Sequence, residues 1–338
     1  MSPEREEWLN QIKEEALDPS LPICDAHHHL WYNADDSYTV EDYRKDISGG
    51  HRVLRTVFVE SRLMLKENAP PEMQPVGETR FVRDITSAGK VGDDTTIDIA
   101  AGIVGFADLT LGAAVAPVLE AHIDAGRGRF RGVRYITAWD ASPELKSRRF
   151  VPRGLLMDRK FREGFAILHR YGLSFDAWLY HPQLPELIDL AREFPDITII
   201  VNHAGGPLGI GPYATARKSV FQDWKNSISE LSGCRNVFMK LGGLGMRISG
   251  YHWPEADRPP HSVELARVFE PYILWCIQRF GVDRCMFETN FPVDKASYSC
   301  TSLWNAFKRI TDNFSYEERL ALFYNTAVKV YRLSGCWA

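Results

Sequence analysis

Ile23-Cys24-Asp25-Ala26-His27-His28-His29 is a short apolar run that ends in three histidines. Side chains alternate along a strand, so His27 and His29 leave on one side and His28 on the other. Outward from this run, seven further β-branched or apolar runs recur, at residues 56–60, 97–105, 132–137, 173–180, 198–203, 237–241 and 284–288. Between most of them lies a segment with helical spacing: Phe221, Trp224, Ile228 and Leu231 share one face, as do Leu320, Phe323, Ala327 and Val330. Eight strands alternating with helices predict an α/β fold, a parallel sheet closed into a (β/α)8 TIM barrel. Residues 21–335 form this single domain, and residues 1–20 precede it as an N-terminal extension.

The bulk properties agree with one globular enzyme-sized domain. Of 338 residues, 45% are hydrophobic and 25% charged, which rules out a disordered or fibrous chain. A net charge of −4 leaves no basic footprint for nucleic acid or an anionic membrane. Cys24, Cys234, Cys276, Cys285, Cys300 and Cys336 are scattered without a CxxC pair, so they read as reduced packing residues. The N-terminus is acidic and no run approaches the length of a membrane span. A cytoplasmic protein with a small-molecule substrate, in one copy or as a homo-oligomer, is expected.

Loop lengths orient the barrel. Connections from helix to the next strand are short, as at Tyr171-Gly172 and Gly281-Val282-Asp283, whereas residues 138–157, 204–218 and 242–262 are long strand-to-helix loops. Barrel enzymes place their active sites at that end. Residues 64–92 read as a partly ordered insertion, and His122 and His169 as structural histidines of outer helices.

Several residues at the strand ends carry potential chemistry. His27 and His29 are suited to a divalent metal, because neutral imidazole is a good zinc ligand and a strand holds it rigidly. His203 ends the apolar run Ile199-Ile200-Val201-Asn202 and precedes Ala204-Gly205-Gly206-Pro207, a turn that lets backbone approach a ligand. His181 follows the fifth strand with the parity of Leu179 and Ala177. Glu288 and Asn290 share a face at strand eight, and Glu60 ends strand two; either carboxylate can take a proton or touch a metal. Arg134 and Lys240 sit within apolar strands, a costly position unless they pair with Glu60 or Glu288 or meet a substrate anion. Tyr180, Trp139, Trp178 and Tyr251 suit a flat or apolar ligand, or simple packing.

Asp25-Ala26-His27-His28-His29-Leu30-Trp31, Val201-Asn202-His203-Ala204-Gly205-Gly206-Pro207 and Phe287-Glu288-Thr289-Asn290-Phe291-Pro292, in this order, resemble the amidohydrolase superfamily. More narrowly they are similar to its amidohydrolase-related branch, which includes 2-pyrone-4,6-dicarboxylate lactonase and sugar lactonases, over residues 21–333. The resemblance implies a distorted barrel in which His27 and His29 are the strand-one metal pair. It makes His203 the strand-six histidine that binds substrate or assists proton transfer, and His181 the strand-five ligand. The family's usual aspartate is Asn290 here, an amide that carries no charge and accepts no proton near neutral pH. Glu288 or Glu60 then serves as base or ligand, or the reaction proceeds without metal.

The function expected is hydrolysis of a lactone or ester bond in a small, carboxylated or aromatic substrate by activated water. One divalent metal, zinc first, is the expected cofactor. His203, Glu288, Asn290 and Glu60 are the catalytic candidates, with Arg134, Lys240 and Tyr180 binding substrate. The alternative is a metal-dependent, non-oxidative decarboxylase of an aromatic or unsaturated acid, and a third reading is a non-enzymatic binding barrel.

Overall fold

The first strand, β1 (Pro22–His28), is buried at every position, the mark of a parallel strand covered on both faces. The computed structural model describes residues 3–33, 36–88, 97–146 and 150–333. Seven strands follow: β2 (Arg52–Val59), β3 (Asp98–Gly105), β4 (Phe130–Ile136), β5 (Ser174–Trp178), β6 (Ile199–Val201), β7 (Val237–Leu241) and β8 (Cys285–Phe287). Each pairs in parallel with the next, in the order of the sequence. The ring closes just beyond the strand ends. His28 bridges Phe291, the His29 amide donates to the Phe291 carbonyl (2.8 Å) and the Asn290 amide to the His27 carbonyl (2.9 Å).

Most strands stop one or two residues short of the ends of their apolar runs, and for two of them the backbone gives the reason. β6 ends at Val201 and β8 at Phe287 because the backbone then turns left-handed, with φ +55° at His203, +50° at Ala204 and +57° at Asn290. A left-handed L-residue leaves the pleat. Side-chain parity therefore no longer fixes where His203 and Asn290 point.

A helix follows every strand: α2 (Val40–Ile47), α3 (Val76–Ala88), α4 (Ala116–Gly126), α5 (Arg159–Arg170), α6 (Leu184–Glu193), α7 (Arg217–Leu231), α8 (Ser262–Phe280) and α9 (Cys300–Ile310), after α1 (Pro3–Leu9) at the N-terminus. The expected insertion at 64–92 thus contains α3, entered through a 3-10 turn at Pro71–Met73; residues 89–92 lie outside the described residues. The apolar stripes face the sheet as their spacing requires. In α7, Trp224, Ile228 and Leu231 of the expected stripe are buried together with Val220, while Phe221 is half-buried at the edge; in α5 the rings of Phe161 and Phe165 stand 6.0 and 5.0 Å from Phe175 of β5. The helix expected around 320–330 is α10 (Tyr316–Leu320) and α11 (Thr326–Val330), joined by a π turn. The wider turn buries Leu322 and Tyr324 beside Phe323 and leaves Leu320 at the edge.

The segment before β1 docks against the closing helices. Glu14 accepts from the Ser262 amide (2.7 Å), Asn305 Oδ1 accepts from the Leu17 amide (2.8 Å), and Lys308 Nζ donates to the carbonyls of Leu17 and Asp18. His122 is a satisfied structural histidine in α4, bonded to Thr79 and to the Phe106 carbonyl, while His169 is exposed. Cys24, Cys234, Cys276, Cys285 and Cys300 are free and buried; Cys336 lies outside the described residues. Among the described residues no helix is long and apolar enough to cross a membrane.

Candidate active site

At the C-terminal mouth, strand ends bring His27, His29, His203 and Glu288 together. His27 and His29 do share a side: their Nε2 atoms face one another at 3.2 Å. His28 points away, bonded through Nε2 to the Thr56 hydroxyl (2.8 Å) and stacked on Tyr43. Glu288 is fully buried. Its Oε1 accepts from the His203 amide (2.9 Å) and from His203 Nδ1 (2.8 Å). The fit depends on two glycines after β7. A Cβ on Gly242 would stand 2.5 Å from Glu288 Cγ, and one on Gly243, at φ +66°, 2.3 Å from His203 Nδ1.

The protonation of these rings follows from their partners. His29 Nδ1 lies 2.8 Å from the Val59 carbonyl, which can only accept, so Nδ1 carries the proton and Nε2 is bare. The same logic leaves His203 with its proton on Nδ1 and a bare Nε2. Burial first, then the Lys240 charge, holds His27 neutral, its pKa well below the ordinary histidine value. His29 is held likewise by burial and Arg134. His27 has two choices. Its Nδ1 is 2.9 Å from Glu288 Oε2 and 3.3 Å from Lys240 Nζ. With the proton on Nε2 it donates to His29 and accepts from Lys240; with the proton on Nδ1, two bare nitrogens meet at 3.2 Å, which requires a cation between or beside them.

These donors fit a divalent metal. His27, His203 and Glu288 offer ligand atoms all within 4.8 Å of one another. Glu288 Oε2 is buried without an aligned hydrogen-bond partner, an unsatisfied anionic oxygen of the kind a cation satisfies. Two imidazoles and a carboxylate make a known zinc donor set, and His29 Nε2 stands next to it.

The remaining candidates are placed differently. Arg134 Nε donates to Glu60 Oε1 (2.6 Å) and its Nη2 to the Glu60 carbonyl (2.7 Å), so these two form a buried ion pair, one of the two arrangements expected. Lys240 pairs with neither Glu60 nor Glu288. Its Nζ lies 2.8 Å from Asp176 Oδ2 on β5, and Asn202 and Tyr331 also donate to Asp176. Asp176 escaped the sequence reading although it is an acid inside the apolar run Phe175-Asp176-Ala177, the same signal that singled out Lys240. His181 begins a 3-10 turn after β5 has ended, so strand parity does not aim it. Its Nδ1 accepts from the Leu208 amide (3.4 Å) and its ring meets Tyr213. The histidine that joins His27 and Glu288 is His203 instead. The Tyr180 hydroxyl donates to the Leu145 carbonyl (3.1 Å) within the loop packing.

Asn290 donates through Nδ2 to Asp294 Oδ1 (2.9 Å), whose other oxygen takes the Tyr298 hydroxyl (2.5 Å) and the Gly245 amide (3.0 Å). Burial raises the Asp294 pKa to about 6 against these donors. An acid four residues on therefore fixes which way the amide faces. Asp25 is buried likewise, held by Thr289, Tyr43 and the His27 amide, and ties β8 to β1.

Comparison with known proteins matches this architecture. The protein y4mH of Sinorhizobium fredii is 33% identical over 337 residues, spanning 93% of this chain and 99% of its own. An L-fucono-1,5-lactonase of Burkholderia ambifaria is 27% identical, spanning 91% and 95%. Crystal structures of an amidohydrolase from Burkholderia multivorans, one with bound HEPES and one with bound zinc, superpose with TM-scores of 0.70 and 0.69 at 22% identity, spanning 92% of this chain and 99% of theirs. Residues 24–333 match the family described as Amidohydrolase, and with nearly the whole chain covered, this protein belongs to the amidohydrolase family.

Proposed function

We propose that this protein hydrolyses a lactone or ester bond of a small substrate at the barrel mouth. The carrying observation is the buried pair in which Glu288 holds the proton of His203 on Nδ1 and leaves Nε2 bare. Such a histidine is a general base whose orientation is set by the carboxylate behind it. The lactonase among the relatives supports a lactone carbonyl as the target.

In this reading water gives a proton to His203 Nε2 as its oxygen bonds to the carbonyl carbon. The tetrahedral oxyanion collapses, the C–O bond to the leaving alcohol breaks, and His203 returns the proton to that oxygen, giving a hydroxy acid. With His203 Nε2 reserved for the proton, His27, His29 and Glu288 would hold a divalent metal, zinc by its preference for two imidazoles and a carboxylate. When bound, the metal polarises a carbonyl or lowers the pKa of water. Asn290 cannot act as base and serves as a fixed polar wall. The Glu60–Arg134 and Lys240–Asp176 pairs hold the floor of the mouth in shape.

The test is hydrolysis of a panel of 1,5- and 1,4-lactones, followed by acid release, with water labelled in oxygen-18. Label in the carboxylate, together with loss of turnover in His203→Ala, supports the reading. Release of carbon dioxide without label incorporation overturns it in favour of decarboxylation. Metal content by mass spectrometry, before and after exhaustive chelation, tests the zinc.

A further inference from the structure

If the substrate carries an acid group, the two cations expected to receive it are already engaged: Arg134 by Glu60 and Lys240 by Asp176. Arg62 is not. It follows β2 by three residues, half-buried, and among the described residues its guanidinium makes no hydrogen bond or ion pair. It lies instead over the Phe106 ring, 3.7 Å from the centroid. Stacking engages the face of a guanidinium and leaves the in-plane N–H donors available, the geometry that suits a carboxylate.

The backbone is built to hold Arg62 there. Its φ is +58°, a left-handed conformation that a long side chain adopts only when its surroundings impose it. The imposing group is Glu78 of α3, which is buried. Its Oε1 accepts from the Ser61 amide (3.1 Å), the Ser61 hydroxyl (2.6 Å) and the Leu63 amide (3.2 Å), gripping the turn on both sides of Arg62.

The turn faces a cavity of about 580 Å³ at the C-terminal rim, between the loops that follow β2, β3 and β4. Arg62, Phe106 and Tyr135 form its polar and aromatic wall, and Leu111, Ile136 and Leu155 its apolar wall. Ile136 on its wall stands two residues beyond Arg134 on the same face of β4, and Arg62 follows Glu60, the partner of Arg134, by two residues in the turn after β2. Two acids also line the cavity. Asp108 has Oδ1 committed to the Thr110 amide (3.0 Å), the Thr110 hydroxyl (2.6 Å) and the Tyr135 hydroxyl (3.1 Å). Glu72 is exposed at the rim, where water screens it, and neither acid pairs with Arg62.

We propose that this cavity is a carboxylate subsite, in which Arg62 receives the acid group of a small organic acid whose apolar body lies against Leu111, Ile136 and Leu155. As a statement about the substrate it rests on the hydrolase reading; as a statement about binding it does not. The experiment separates the two. Benzoate and benzamide, alike in shape and different in charge, are titrated by calorimetry into the whole protein, Arg62→Gln, Arg62→Lys and His203→Ala. Benzoate is expected to bind about tenfold or more tighter than benzamide, as one hydrogen-bonded charge gives. The preference should vanish in Arg62→Gln, persist in weakened form in Arg62→Lys, and survive in His203→Ala. Equal binding of the two probes, or a preference lost in His203→Ala and kept in Arg62→Gln, overturns the subsite. In turnover, Arg62→Gln should depress hydrolysis of a carboxylated lactone at least tenfold more than that of its neutral analogue; equal depression overturns the substrate assignment. If no lactone is hydrolysed while the benzoate preference holds, the hydrolase reading fails and the subsite stands.

Discussion

Replacing Glu288 by Gln changes one atom and should silence the site without unfolding the barrel. The carbonyl oxygen of Gln must stay on His203, because both groups it meets there, the amide and Nδ1–H, are donors. The new NH2 then occupies the place of Oε2, 2.9 Å from His27 Nδ1. His27 becomes an acceptor at Nδ1 and carries its proton on Nε2, aimed at the bare His29 nitrogen 3.2 Å away. One substitution therefore removes a negative ligand, blocks the converging imidazole nitrogens and weakens the hold on the His203 proton. Losing the general base costs about 10²- to 10⁴-fold in rate, or about 3–5 kcal/mol of transition-state stabilisation. The fold should tolerate it. Hydrogen bonds to a charged acceptor become neutral ones, but a buried carboxylate no longer has to be desolvated. A midpoint within about 5 °C of the unaltered protein is expected. The assay measures kcat/KM on the best lactone of the panel, bound metal, and the thermal midpoint on the same preparation. A folded Glu288→Gln protein with turnover within about threefold of the original would refute the role given to Glu288, since His203 would then work as well without the carboxylate as with it.

Other outcomes follow from the buried charges. Lys240→Met should destabilise the protein by about 3–5 kcal/mol in urea melts, because Asp176 is left buried with neutral donors alone, and adding Asp176→Asn should restore most of the loss. Burial pushes His122 down to about 4 from an ordinary 6.5, so its neutral form contributes stability that is present above pH 6.5 and lost as pH falls towards 4. Between pH 7 and 5 this loss is about 2 kcal/mol, and His122→Gln should show a correspondingly flatter pH dependence of its denaturation midpoint. Asn290→Asp would set a second carboxylate beside Asp294, whose raised pKa already means stability lost as pH rises through about 6. The variant should lose more stability than the original between pH 5 and 8, and restoring the family's usual aspartate should not raise activity.

What the sequence makes legible depends on how local the cause is. Eight strands and their helices are visible because a barrel demands short continuous apolar runs for strands covered on both faces and a 3.6-residue apolar spacing for the helices outside, whatever the rest of the chain does. The pairing of His27 with His29 is visible for the same reason, being a matter of pleat alone. Where the backbone leaves the pleat, parity stops informing. His181, one residue into a 3-10 turn, turns to Leu208 and Tyr213, while His203, at a positive φ, swings into contact with Glu288. Partners distant in sequence are hidden for a second reason. A cation in an apolar strand announces that some anion is near, but Lys240 finds Asp176 only through the order of strands around the ring.

Asn290 takes its role from its contacts. Read alone, the amide is a deficit, since it supplies neither charge nor base. Beside Asp294 it is a different object. The acid accepts from Nδ2 and is itself held by Tyr298 and Gly245, so the amide cannot flip without breaking a buried network. Its carbonyl oxygen is thereby fixed on the opposite side, as an acceptor of constant polarity over the pH range in which a carboxylate would change its charge. The negative charge that the strand-eight position lacks is carried by Glu288 two residues earlier, where His203 and His27 surround it. An acid at 290 as well would place two carboxylates and Asp294 in one desolvated site with too few cations to balance them. The asparagine is therefore consistent with a working centre whose charge has moved from position 290 to position 288.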